Sequence, residues 1–583
     1  MKHFNSPLKR FGVLALIFLV FMSFDANKTA TDPNPELAKI IASYEGFNSF
    51  NRSDFRLGNY TKERYKKEAD FAAELLKKLE KIEVSALSET DRISHNLLQF
   101  VLKDKIAFYQ FERYLNPLLS DSGFHLNLNY RVRPLTNYRQ IVNYLETLNA
   151  IPGFVDMHFE NLRAGLKKGV SQPKIMFKGY ESTYNDHIVD DFTESFFYSP
   201  FKSLPADLSK KQRDSVMTAA KKAVTQVVIP QFKRIKTFFE EEYIPNTRES
   251  IGVSDTPGGA QFYQDRINFY TTSAQYTAKD IHEIGLKEVA RIKAKMELII
   301  TQVGFKGTFA EFLQFLRTDP QFYATSPKEL LMIARDMAKR ADAQLPRYFK
   351  TLPRKPYGVA PVPDAIAPKY TGGRYVGTSR NSTDPGYYWV NTYDLPSRTL
   401  YTLPALTVHE AVPGHHLQGS LNNELGDSIP RFRRNLYLSA YGEGWGLYSE
   451  FLAAEMGMYT TPYEEFGQLT YEMWRACRLV VDTGIHALGW TRDQVVDYMA
   501  SNTALSIHEV NTETDRYISW PGQALSYKIG EIKIRELRTK AEQQLGAKFD
   551  IREFHEVILE QGTVTLAILE ERINQYIERT KGE

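Results

Sequence analysis

The sequence predicts a mainly α protein, a two-lobed helical body with one small antiparallel sheet near its candidate site. Three observations lead there. Apolar residues recur at helical spacing among charges over most of the chain, as in KERYKKEADFAAELLKKLEKI at 62–82. One stretch only, GGRYVGTSRNSTDPGYYWVNTYD at 372–394, gathers aromatic and β-branched residues broken by turn chemistry. Of 583 residues 43% are apolar and one, Cys477, is a cysteine, so a large core rather than disulfides must hold the fold.

The N-terminus reads as an export signal over residues 1–26. Lys2, Lys9 and Arg10 form a basic start, and residues 11–24 are an apolar run of 14. That run is short for a membrane span, which needs about 20 residues, and suits a signal sequence. Ala26 and Ala30 follow without a clean A-x-A site, so an uncleaved N-terminal anchor stays open. No cysteine follows the run, which argues against a lipid anchor. The expected location is periplasmic or extracellular. The segment holds three basic residues and one acidic one, so the formal charge falls from +3 to +1 without it. A near-neutral chain is a poor candidate for binding nucleic acid.

Helices are expected over 62–82, 90–115, 137–168, 208–242 and 278–303. His282, in the last of these, has no second histidine at useful spacing and reads as structural. The stretch LPRKPYGVAPVPDAIAPKYTGG, 352–373, is rich in Pro and Gly and reads as loop. The sheet is expected next, and helix returns from Ser397 almost to the end. The chain thus divides into an N-terminal helical region, 35–345, and a catalytic region, 346–583, with lobes free to interleave in space.

The chemistry concentrates in TVHEAVPGHHLQ, 407–418, which holds three of the 12 histidines in the chain. In the common zinc-peptidase signature H-E-x-x-H, the histidines at i and i+4 share a helix face and reach one metal, and the glutamate activates its water. Here Pro413 occupies i+4 from His409. Proline removes a helical N–H, and Gly414 loosens the chain further, so the helix should break or bulge. On a straight helix His415 lies roughly 240° around from His409, and His416 lies about 10.5 Å along the axis. Two ligands of one zinc need nitrogens roughly 3.3 Å apart, which neither position meets. A bulge that absorbs Pro413 and Gly414 puts His415 in place; His416 is the alternative.

The next cluster is SAYGEGWGLYSEFLAAEMG, 439–457. Glu443 and Glu450 are seven apart and share a helix face. Glu443, between Gly442 and Gly444, is the expected third ligand. Glu450 is expected to support a ligand or join a buried ion pair.

HEAVPGHHLQ followed by GEGWGLYSE resembles the bacterial "domain of unknown function 885" family, with its HExxPGHxxQ motif. The resemblance extends to RLVVDTGIHALGW (478–490) and SWPGQALSYKIGEIKIRELR (519–538), and so covers the chain from about residue 35 to the end. It implies a mostly helical zinc metallopeptidase, similar to thimet-oligopeptidase-like and carboxypeptidase-Taq-like enzymes. The pattern maps onto His409, Glu410, Pro413, Gly414 and His415, with the third ligand at Glu443.

Supporting roles are assigned downstream. Asp482 and His486 share a helix face at i, i+4. Asp482 is expected to orient a ligand imidazole or to pair with Arg478, and His486 to donate to substrate or oxyanion. Tyr527 is a candidate for oxyanion stabilisation. Arg516 and Lys528 are candidates for a peptide carboxylate. The strand GYYWVNTYD is expected to pair with extended substrate, and Asn391 in it to hold a substrate amide. Cys477 reads as a buried, inert thiol, and no G-x-S-x-G is present.

The resulting expectation is an exported zinc-dependent metallopeptidase hydrolysing short peptides, with His409, His415 and Glu443 as ligands and Glu410 as general base. A metal hydrolase of other amides or esters is a close alternative. A periplasmic helical binding protein with a structural or vestigial metal is the other, and a fourth ligand from His416 would favour it. Oligomeric state has no signature in the sequence.

Overall fold

In a computed structural model, the described residues are 34–47 and 54–582 apart from residue 365. The export signal expected over 1–26 lies outside them. Among the described residues no helix is long and apolar enough to cross a membrane.

The chain is mainly helical. Helices begin where side chains accept the first free N–H groups. Thr61 caps Lys62–Leu79, and Thr277 with Asp280 makes a capping box on Ala278–Gln302. The expected 137–168 helix is two helices, Tyr138–Asn149 and Ile151–Lys167, split just before Pro152. The 208–242 segment runs as Lys210–Ala223 and Ile229–Thr237, joined and followed by π-helical turns.

The axis of the molecule is Pro462–Leu488, the central helix, capped by Thr461 and ended by Gly489 at φ 71°. It is buried on nearly every side from Phe466 to His486. Ala278–Gln302 packs along it, and Gly285 is where they come closest: a Cβ there would lie 2.8 Å from Leu479.

Two large apolar clusters flank this helix. One draws mainly on residues 118–322 together with Phe466, Met473, Val480 and Ile485 of the central helix. The other joins Leu37, Leu75, Leu97 and Leu102 to residues as late as Ile577. Arg572 pairs with Glu89 at 2.7 Å across this second cluster. Both clusters draw on residues from either side of 345/346, and residues 37–102 pack with residues 525–577.

The small sheet has the order β1-β3-β2, with β1 Tyr357–Pro361, β2 Gly373–Val376 and β3 Gly386–Val390. Two sequence expectations are corrected here. The sheet is mixed, since β1 pairs with β3 in parallel and only β2–β3 is antiparallel. The 352–373 stretch is not all loop, because it contains β1; Pro361 is tolerated at that strand's end on a sheet edge. A third, small cluster of Ala334, Met337, Tyr388, Val390, Leu403 and Ala411 fixes the sheet against the histidine motif.

Candidate metal centre

The motif folds as two short helices with a kink between them. Leu403–Glu410 ends at Glu410, and His415–Glu424 begins at His415. Residues 411–414 form the bulge, with a cis Val412-Pro413 bond. Gly414 N–H bonds the Val408 carbonyl at 2.9 Å. A Cβ on Gly414 would fall 1.8 Å from the His409 carbonyl oxygen, so only glycine fits. Trp445 Nε1 donates to the Pro413 carbonyl at 2.8 Å and clamps the bulge to Ser439–Glu455, the Glu443 helix.

This geometry brings the His409 and His415 rings together, centroids 4.8 Å apart at 87°. Glu443 Oε2 lies 3.5 Å from His409 Nε2 and 3.4 Å from His415 Nε2. A charge-assisted N–H···O bond would close to about 2.7–2.9 Å. The observed spacing matches instead the edge of a tetrahedron about a zinc, roughly 3.3 Å. His409, Glu410 and His415 also offer donor atoms within 4.8 Å of one another. One oxygen of Glu410, Oε2, is held by the Tyr375 N–H of β2 at 2.7 Å.

The supporting shell is carboxylate-rich. Glu450, fully buried, places Oε1 2.8 Å from His409 Nδ1, so Nε2 faces the site. Arg475 stands 3.4 Å from the same oxygen. Burial alone would lower the His409 imidazole, but the facing carboxylates of Glu443, Glu450 and Glu410 raise it to about 10. Tyr437 donates to Glu443 Oε1 at 2.8 Å.

The glycines of the Glu443 helix make these approaches fit. A Cβ on Gly446 would sit 2.6 Å from His409 Cε1, and one on Gly444 2.6 Å from Gly530 Cα. Gly530 belongs to Ser526–Leu545, and a Cβ on it would fall 1.9 Å from the Ala440 carbonyl oxygen.

His416 turns away from Glu443. Its Nδ1 meets the Tyr375 hydroxyl at 3.1 Å and Ser420 Oγ at 3.3 Å, and burial pushes it down to about 4. It anchors the sheet to the motif. Four downstream assignments need correction. His486 is fully buried, with Nε2 on the Tyr517 carbonyl and Nδ1 accepting the Val253 N–H, so it has no nitrogen left for an oxyanion. Asp482 accepts from the Tyr263 hydroxyl at 2.6 Å and the Gly522 N–H, and orients no ligand imidazole; Arg478 pairs with Glu513 instead. Lys528 is fully buried among Glu472, Glu531 and Glu288, at 2.8, 2.8 and 3.0 Å, out of reach of a peptide carboxylate. Asn391 spends its amide N–H groups on the Ala367, Tyr370 and Thr371 carbonyls, and so shapes the loop that leads into β2.

The expected substrate strand is also corrected. β3 is central and paired on both sides, so the open edge beside Glu410 belongs to β2. Tyr527 stacks under Arg478, 4.6 Å to its ring centre, and lies near Tyr437. Arg516 binds Glu513 and Gln523 but stays partly exposed. Cys477 is buried, and burial pushes its thiol well up.

Sequence reasoning missed Tyr375, Tyr437 and Arg475. Tyr375 acts through its backbone N–H, which carries no residue-type signal. Tyr437 had a faint one: Gly442 leaves the space its ring fills, since a Cβ there would be 2.5 Å from it.

Residues 40–573 match the family described as "Bacterial protein of unknown function (DUF885)". The chain belongs to this family. The DUF885 fold is shared with two solved structures. One, described as a "putative lipoprotein" from Colwellia psychrerythraea, is 28% identical over 93% of this chain and 96% of its own, with a TM-score of 0.80. The other, described as a "putative lipoprotein of unknown function" from Shewanella oneidensis, is 18% identical over 92% and 96%, with a TM-score of 0.66, and shows the fold alone. No curated protein matches the chain.

Proposed function

We propose that this DUF885 chain is an exported zinc-dependent metallopeptidase that hydrolyses short peptides. One observation carries the reading: Glu443 Oε2 stands at zinc-ligand spacing from both His409 Nε2 and His415 Nε2, with Glu410 alongside. Two imidazoles and one carboxylate are a frequent catalytic zinc set, with a position left for water or substrate. A zinc ion there supplies Lewis acidity, polarising a carbonyl and making water a nucleophile at neutral pH.

The chain's own groups do the rest. Glu410 accepts the proton of the attacking water and returns it to the leaving amine. The Tyr375 N–H fixes one of its oxygens and leaves the other for that transfer. The unpaired edge of β2 offers backbone groups to an extended peptide beside Glu410. Tyr527 and Arg516 remain candidates for the oxyanion and a substrate carboxylate. The N-terminal apolar run supports export, as does the description of the Colwellia structure.

A structural metal normally has four protein ligands, and His416, whose joining the set would favour that reading, meets Tyr375 and Ser420 instead. Amides or esters other than peptides remain the nearest alternative substrates. Metal analysis of the purified protein should give about one zinc per chain. Glu410→Gln should retain that zinc and lose cleavage of a peptide library, read by mass spectrometry, by about 10²–10⁴-fold. Zinc-free protein from zinc-replete cells would remove the basis of the reading. A Glu410→Gln variant of full rate would remove Glu410 as base.

A further inference from the structure

We infer that Tyr437 is a positioning residue for the candidate metal ligand Glu443, holding it to one-oxygen ligation. The inference rests on the zinc reading above and concerns a residue outside the histidine motif.

A carboxylate can bind a cation through one oxygen or both. Binding through both would fill the position that a water or substrate needs. In Glu443 the two oxygens have different partners. Oε2 faces both imidazoles, 3.5 Å from His409 Nε2 and 3.4 Å from His415 Nε2. Oε1 accepts the Tyr437 hydroxyl at 2.8 Å. The phenol is a donor at this contact, so it caps Oε1 and leaves Oε2 as the ligating atom. Hydrogen-bonded ligand carboxylates are the common arrangement around bound metals.

Local packing fixes the phenol there. Tyr437 follows the short helix Arg431–Arg434, on the extended link into the Glu443 helix. Its hydroxyl and ring press against Gly442, where a Cβ would come within 2.5 Å of Cε2 and 2.7 Å of the hydroxyl oxygen. A side chain at 442 would displace the phenol from Glu443. Yet the residue is 54% exposed, unlike the fully buried Tyr441 and Tyr448 of the Glu443 helix. Core packing alone therefore does not account for it. Its defined polar contact is with the ligand carboxylate.

The test uses metal affinity and a spectrum rather than turnover. Wild type, Tyr437→Phe and Gly442→Ala are stripped, titrated with zinc against a competing chelator, and loaded with cobalt(II) for visible absorption. Tyr437→Phe should bind zinc about 10–100-fold more weakly, as losses of a ligand's hydrogen-bond partner do. Its cobalt bands should weaken, the mark of a fifth ligand atom. Gly442→Ala should move both readouts in the same direction. Tyr441→Phe, whose hydroxyl donates to the Ile558 carbonyl and not to Glu443, should leave the cobalt spectrum unchanged. Wild-type affinity and spectrum in Tyr437→Phe would overturn the inference and leave the zinc reading intact. A wild type that binds neither metal would overturn the zinc reading itself.

Discussion

His125, His158 and His187 sit together in the aromatic core of the N-terminal half; His409, His415 and His416 sit at the kinked motif. The first group meets rings. Phe124 stacks on His158 at 4.7 Å, and Phe232 lies 4.4 Å from His187. Both nitrogens of His158, and Nδ1 of His125 and His187, lack hydrogen-bond partners. Burial therefore pushes the three down, to about 3, 3 and 4, and keeps them neutral. At His409 burial is as deep, yet Glu443, Glu450 and Glu410 reverse the shift. His416, six residues from Glu410, behaves like the first group because its neighbours are Tyr375 and Ser420. Clustered histidines are thus no mark of a cation site by themselves; the carboxylates around them decide.

The sharpest way to break this contrast is to exchange roles within the motif. His415→Ala should abolish zinc retention, while His416→Ala keeps about one zinc per chain, measured by metal analysis after dialysis. The reverse result would assign the site to the wrong histidine. Glu450→Gln probes the supporting carboxylate: zinc affinity in a chelator competition should fall about 10–100-fold. An unchanged affinity would make Glu450 a packing group only.

The smallest effect on zinc belongs to the N-terminal histidines, whose own signal is a pH dependence of stability. In the unfolded chain they protonate below about 6.5; folded, they do so only near 3 or 4. Their contribution is intact above pH 6.5 and is lost as pH falls toward 4, by up to about 1.4 kcal/mol per histidine per pH unit. Thermal melts of metal-free protein between pH 7 and 5 should show it. His158→Leu should leave zinc binding untouched, shift stability at pH 7 by about 1 kcal/mol or less, and flatten that acid slope. A slope unchanged by the substitution would mean His158 protonates freely in the fold.

Much of the site was legible because its chemistry is written in side chains at short range. His409, Glu410, Pro413, Gly414 and His415 are consecutive enough for helix geometry to demand a bulge, and Glu443 is marked by its glycines. The helical class followed from spacing. What escaped lies in backbone and long-range pairing. Nothing in the residue type of Tyr375 announces that its N–H holds Glu410, 35 positions away. β1 hid among prolines because edge strands tolerate them, and its parallel partner could not be read from composition. Lys528, Asp482 and His486 misled for a common reason. A polar residue on a buried helix face needs partners wherever it falls, and these found them in the core.

The glycines at 442, 444 and 446 can be treated as a mould. Each costs the helix about 1 kcal/mol relative to alanine, and each leaves a hollow for something specific: the Tyr437 phenol, the neighbouring helix backbone and the His409 ring. A relative could keep both histidines and both glutamates yet carry alanine at 446. The added methyl would press 2.6 Å from His409 Cε1. Its ligand letters would be complete and its site misshapen, so inspecting the hollows as well as the ligands separates working chains from silent ones.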